Sequence, residues 1–115
     1  MIYIIDDDKS VRRSFEILLS SADFEYTSFE SAEEFLKFFT PQENDFLILD
    51  IHMPGMNGCD LLNTLKEKNI QIPVIIITAF DEAFSRECAK DYGVKAYLRK
   101  PIDGEALIDL IEYNI

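Results

Sequence analysis

Five short apolar runs alternating with five amphipathic stretches predict an α/β fold, a (βα)5 doubly wound parallel sheet of five strands. Two observations carry this. The runs Ile2–Ile5, Phe24–Phe29, Phe46–Leu49, Val74–Thr78 and Val94–Leu98 start roughly 20 to 28 residues apart, room for a strand, a helix and two loops. Three of them (IYII, FLIL and VIII) are continuously apolar, as strands buried on both faces must be. Five strands are too few for an eight-stranded barrel. The economical solution is an open sheet in the order 2-1-3-4-5 with right-handed crossovers. Ligands of such sheets sit beyond the carboxyl ends of the strands, near the switch point between strands 1 and 3.

Each element follows from its own pattern. The first run leads into a helix from Lys9 to Ala22, with Val11, Phe15, Leu18, Leu19 and Ala22 on one stripe. FEYTSF alternates, as an edge strand does. Ser31-Ala-Glu-Glu34 reads as a capping box ahead of Phe35, Leu36, Phe38 and Phe39, and Pro41 follows the helix end. Asn57-Gly58 opens a third helix to about Lys68. A fourth runs from about Glu82 to Tyr92, with Gly93 as its left-handed stop. Asp103 caps a fifth, which carries Leu107, Ile108, Leu110 and Ile111.

The 115 residues are 48% hydrophobic, the size and composition of one domain spanning 1–115 with a packed core. The net charge of −11 repels phosphate backbones, which argues against direct nucleic-acid binding. Cys59 and Cys88 lack metal-type spacing and read as reduced, semi-buried thiols rather than a disulfide framework. His52 is the single histidine, too few for a histidine metal cluster. No apolar run approaches a membrane span and no basic segment precedes one, so the expectation is a cytoplasmic protein without membrane association.

The chemistry collects at the strand ends. Strand 1 ends in Asp6-Asp7-Asp8, strand 3 in Asp50, strand 4 in Thr78-Ala79, and Lys100-Pro101 follows strand 5. A parallel sheet brings all of these to one rim. Clustered carboxylates raise one another's pKa, a cost that a divalent cation removes. Magnesium favours hard oxygen ligands and keeps waters for phosphate oxygens. Asp7 and Asp50 are the expected direct ligands, Asp6 acts through a water, and the backbone carbonyl of His52 supplies a third protein oxygen. A carboxylate can also attack phosphorus once Mg²⁺ and an ammonium group neutralise the transferring charge. Lys100 fits the ammonium role, Thr78 fits a hydroxyl donor, and Asp8 reads as a helix cap.

These pieces resemble the receiver domains of bacterial response regulators, among them the chemotaxis regulators, from Ile2 to about Tyr113. The resemblance rests on Asp6-Asp7 after an apolar strand, the run Leu49-Asp50-Ile51-His52-Met53-Pro54-Gly55-Met56-Asn57-Gly58, Thr78-Ala79 and Lys100-Pro101. It implies a flavodoxin-like fold, Asp50 as phosphoacceptor, and Mg²⁺ held by Asp6 and Asp7 with Asp50. It implies that Thr78 and Lys100 contact the phosphoryl group, and that Tyr97 is an aromatic switch whose ring turns inward on activation. The Lys100-Pro101 bond is expected to be cis. His52 and Phe80, two residues after Asp50 and Thr78, match positions that tune the lifetime of the acyl phosphate.

The resulting expectation is a signalling switch rather than an enzyme, with self-catalysed phosphorylation and dephosphorylation. A sensor histidine kinase or phosphotransfer protein donates to Asp50, and the face of helix 4, strand 5 and helix 5 responds. Arg99, Lys90, Lys95, Asp91, Asp109 and Glu112 lie on or near that face, which forms a homodimer in some members. Two alternatives remain open. A Mg²⁺-dependent phosphohydrolase with an aspartyl nucleophile wants a D-x-D nucleophile and acid pair after strand 1 and then a substrate cap. Here strand 1 reads D-D-D, strand 3 reads D-I-H, and there is no cap insertion. An interaction module without phosphorylation does not need so complete a rim.

Overall fold

A computed structural model describes residues 1–115. The chain forms β1 (Ile2–Ile5), α1 (Lys9–Ser21), β2 (Tyr26–Phe29), α2 (Ala32–Phe38), β3 (Phe46–Asp50), α3 (Gly58–Glu67), β4 (Val74–Thr78), α4 (Ala83–Tyr92), β5 (Ala96–Arg99) and α5 (Gly104–Asn114). The strands make one parallel sheet in the order β2-β1-β3-β4-β5. That is the expected flavodoxin-like topology. β2 lies at an edge, in keeping with its alternating sequence, and every residue of the central β3 and β4 is buried.

Alternation along the strands divides the core into two layers. Ile2, Ile4, Phe46, Ile48, Ile75 and Ile77 face α1 and α5 through Phe15, Leu19, Leu107 and Ile111. Ile5, Leu47, Leu49, Val74 and Ile76 face the other helices through Phe35, Leu61, Leu62, Leu65 and Ala89. Burying both faces of an apolar sheet is the dominant stabilising term and holds the carboxyl ends of the strands in one plane.

The helix starts differ in one respect from expectation. Ser31 accepts from the Glu34 amide at 3.1 Å, but only that half of its capping box forms. The reciprocal pair occurs at α3, where Asn57 accepts from the Asp60 amide (2.9 Å) and Asp60 from the Asn57 amide (3.0 Å). Glu33 instead reaches the loop after β3, accepting from the Met56 amide at 3.3 Å. Gly93 ends α4 at φ 85°, the left-handed conformation glycine adopts freely.

Candidate functional site

The loop after β1 is built around Asp6 and Asp8. Asp8 caps α1, its carboxylate accepting from the amides of Ser10 (2.8 Å) and Val11 (3.2 Å). Asp6 is turned inward and buried. One of its carboxylate oxygens accepts from the Asp8 amide (2.9 Å) and the other from Lys100 Nζ (2.9 Å). Asp7 is exposed between them. Arg12, which the sequence pattern did not single out, donates to the Asp6 carbonyl at 2.7 Å and fastens this loop to the first turns of α1.

Asp50 ends β3 and is 5% exposed. It, Asp6 and Asp7 each offer a carboxylate oxygen, all within 4.8 Å of one another. Lys100 Nζ stands 3.6 Å from Asp50 Oδ1 while it bonds Asp6. The Lys100 amide donates to the Thr78 carbonyl at 2.8 Å, which locks the ends of β4 and β5 together, and the Lys100-Pro101 bond is cis as expected.

The electrostatics are those of a crowded acidic site. Burial, then the charge of Asp6, pushes the Asp50 carboxyl up to about 6; Lys100 opposes the rise and Asp7 adds to it. Burial pulls Lys100 down, but its hydrogen bond to Asp6 and the charges of Asp50 and Asp6 outweigh this and hold it above its ordinary value. One ammonium thus serves two buried carboxylates. Three hard oxygen donors with one open to solvent suit a small divalent cation that keeps part of its water shell.

Not every expected participant points at Asp50. The Thr78 side chain is buried, and its hydroxyl donates to the Phe80 carbonyl (3.0 Å) and accepts from the Phe80 amide (3.2 Å). It is engaged in a turn of its own loop. Tyr97 packs on the core layer that contains Ala89, and its hydroxyl is buried without a hydrogen-bond partner. His52 and Phe80 meet edge to face with ring centroids 5.4 Å apart, and His52 and Phe84 do the same at 6.1 Å. Glu82 lies 3.4 Å from His52 Nε2, which forms no hydrogen bond. Glu82 and Phe84 were missed because nothing local marks them; only the β4–α4 turn brings them over His52.

Gly58 is needed for close approach rather than for backbone freedom. Its amide donates to the Ile51 carbonyl at 2.9 Å, and a Cβ there would lie 2.6 Å from the Asp50 carbonyl oxygen. Gly58→Ala therefore forces the backbone of the acceptor strand to move. Chemical denaturation should register a loss of about 1–3 kcal/mol, as overpacking costs elsewhere. An unchanged midpoint would mean that α3 slides without disturbing Asp50.

The cysteine expectation is overturned. Cys59 in the first turn of α3 and Cys88 in α4 are joined as a disulfide, with Cα atoms 5.8 Å apart and no free cysteine left. The 29-residue separation hides this in the sequence, and the packing of α3 against α4 creates it. The residues expected near the output face, Lys90, Asp91, Lys95, Arg99, Asp109 and Glu112, are exposed and make no ion pair within the chain. No helix is long and apolar enough to cross a membrane.

Comparison with known proteins agrees with this geometry. Residues 2–112 match the family model described as the response regulator receiver domain. The DNA-binding transcriptional regulator NtrC of Klebsiella pneumoniae is 38% identical over 113 residues, 98% of this chain and 24% of that protein. The transcriptional regulatory protein FixJ of Rhizobium meliloti is 33% identical over 111 residues, 96% of this chain and 54% of that protein. The chain thus spans about a quarter to a half of the length of these relatives. Among solved structures, response regulator StyR superposes with a TM-score of 0.90 at 38% identity, covering 97% of this chain and 57% of that one. FixJ-N superposes with a TM-score of 0.86 at 33% identity, covering 96% and 89%. A match of such extent over the sheet and its acidic rim means that the chain belongs to the response regulator receiver domain family of two-component signalling systems.

Proposed function

We propose that residues 1–115 act as one phosphoryl-accepting switch domain in the cytoplasm, with Asp50 taking a phosphoryl group from the phosphohistidine of a partner kinase or phosphotransfer protein. The observation that carries this reading is the joint placement of three carboxylate oxygens within 4.8 Å and a lysine ammonium that touches two of those carboxylates. An Asp50 oxygen forms the new O–P bond as the P–N bond of the donor breaks, and the freed imidazole takes a proton. Asp6, Asp7, Asp50 and the His52 backbone carbonyl would hold Mg²⁺, which when bound offsets negative charge on the transferring group.

Lys100 then exchanges part of its bonding to Asp6 for the new phosphoryl oxygens. The Thr78 hydroxyl leaves the Phe80 carbonyl to donate to the phosphoryl group, which releases the β4–α4 turn. Tyr97 and the α4–β5–α5 face respond, and the exposed charges there suit a homodimer or another protein partner. The acidic surface is unsuited to nucleic acid. The domain is not a turnover enzyme, although its own residues catalyse its phosphorylation and dephosphorylation.

Incubation with Mg²⁺ and a small phosphodonor should add one phosphoryl group to the wild type and none to Asp50→Asn, read by intact mass. Equal labelling of both sinks the assignment. Steady turnover of an added phosphomonoester would instead favour the phosphohydrolase. Phe80 and His52 meet edge to face two residues after Thr78 and Asp50, and in this reading the pair impedes an attacking water. Phe80→Glu should shorten the phosphoryl lifetime, and an unaltered dephosphorylation rate counts against that role.

A further inference from the structure

We infer that Cys59 and Cys88 form a reversible dithiol–disulfide site whose oxidation state sets how readily α4 moves when the Asp50 rim takes up a phosphoryl group. The coupling rests on Asp50 being the acceptor; the redox site itself does not.

The two helices joined by the bond are held to the body very unequally. α3 buries Leu61, Leu62 and Leu65 completely, carries a full capping box, and abuts the backbone of Asp50 through Gly58. It is a fixed reference next to the site. α4 buries only Ser85 and Ala89, and its N-cap residue Glu82 makes no side-chain cap bond. The Ser85 hydroxyl is fully buried without a partner, which weighs against this docking of the helix. These two small side chains bring little apolar area to the interface. Beyond them α4 packs Cys88 and Tyr92 partly against the core, and the Tyr92 hydroxyl, donating to the Ile70 carbonyl and accepting from the Ile72 amide, ties only the C-terminal end of the helix. The covalent link to α3 is therefore the strongest single tie on α4. This helix also connects the Thr78 turn at one end to β5 and Tyr97 at the other.

The chemistry suits reversible exchange. Cys59 is 7% exposed, whereas Cys88 is half-buried and more open to an incoming thiolate. A low-molecular-weight thiolate attacks Cys88 Sγ, the protein S–S bond breaks, and Cys59 leaves as a thiolate that takes a proton. A second thiolate attacks the outer sulfur of the mixed disulfide, freeing Cys88, which is protonated in turn. Two thiols become one small disulfide, and the protein gains two electrons and two protons. Oxidation is the reverse, with a small disulfide as oxidant. In a reducing compartment, disulfides are usually transient or redox-sensing.

Two measurements test this. In buffers of graded glutathione to glutathione disulfide ratio, intact mass should follow one two-electron transition between the linked and the dithiol forms. A chain that stays linked across the whole range, in its folded state, overturns the reversible site. Oxidised and reduced wild type are then titrated with Mg²⁺ and beryllofluoride, a phosphoryl mimic, with amide NMR shifts in α4 as readout. The reduced form should bind at least about 5-fold more tightly, the lower bound of ordinary coupling between sites. The Cys59→Ser, Cys88→Ser double variant should bind like the reduced form in either buffer. Affinities within 2-fold of each other overturn the coupling. Binding by neither form overturns Asp50 as acceptor, and the coupling with it, while leaving the redox transition as measured.

Discussion

Asp50→Asn should remove phosphoryl uptake entirely and yet make the metal-free chain more stable at neutral pH. Both effects come from one buried carboxylate. In the folded chain, burial and the neighbouring Asp6 push its carboxyl from an ordinary 3.8 up to about 6. Below 3.8 the group is protonated whether the chain is folded or not, and it costs nothing. Between about 3.8 and 6 the unfolded chain ionises freely while the folded state resists, and above about 6 the folded state carries the full cost of a buried charge. Stability from this group is therefore fully present below about 3.8, is lost progressively as the pH rises from there, and is gone above about 6. A shift of roughly two pH units corresponds to about 3 kcal/mol. Water reaching the rim reduces this, so a gain of roughly 2 kcal/mol is expected for the variant at pH 8. Asparagine keeps the shape and carries no charge, so the variant escapes the loss. Urea unfolding in a chelator should place its midpoint roughly 1 M above the wild type at pH 8, with the gap shrinking only below about pH 6 and closing towards about pH 4. Mg²⁺ should narrow the gap at pH 8 by binding the folded wild type. A variant no more stable than wild type at pH 8, or a gap that ignores pH, would mean that Asp50 is not held against its own ionisation.

Much of this site was legible because its logic is topological. Continuous apolar runs require strands buried on both faces, and alternation with helices requires them to be parallel. Parallel strands bring Asp6, Asp50, Thr78 and Lys100 to one rim whatever the details. Asp8 as a cap and Gly93 as a stop follow from local chemistry and are found as such. What stayed hidden depends on side-chain choice among equivalent partners. Ser31 and Glu34 satisfy the capping-box pattern, yet only one of its two bonds forms, and the neighbouring Glu33 bonds the Met56 amide instead. The Thr78 hydroxyl has a near acceptor in the Phe80 carbonyl and takes it. The edge strands are shorter than their apolar runs, since Phe24 and Val94 serve the core outside the ladder. The cysteine pair has no spacing rule at all. It exists because the first turn of α3 and the middle of α4 pack side by side.

Opening that pair should be the largest single loss of stability that leaves every core side chain in place. The bond joins residues 29 apart in sequence, Cys59 and Cys88, and closes a loop that contains all of β4 and most of α3 and α4. Cross-linking a loop of this length removes chain entropy from the unfolded state worth roughly 3–4 kcal/mol on the loop-closure account. Against a total of about 5–15 kcal/mol for a domain, that is a large share. Thermal unfolding with a phosphine reductant should fall on the order of 15 °C below the oxidised chain, given the entropy of unfolding of a domain this size. Using reductant on the wild type keeps both sulfurs in the core, so no cavity or buried hydroxyl confuses the comparison. The deficit should also be uneven. Hydrogen exchange should accelerate most in the first turns of α4, where Ser85 and Ala89 are the only buried residues and the Tyr92 hydrogen bonds to Ile70 and Ile72 hold only the far end, and least in α3 with its buried leucines. Reduction that shifts the midpoint by no more than a few degrees would mean that packing alone sets the distance between the two helices. A uniform rise in exchange would mean that the bond stabilises the whole sheet and gives α4 no special hold.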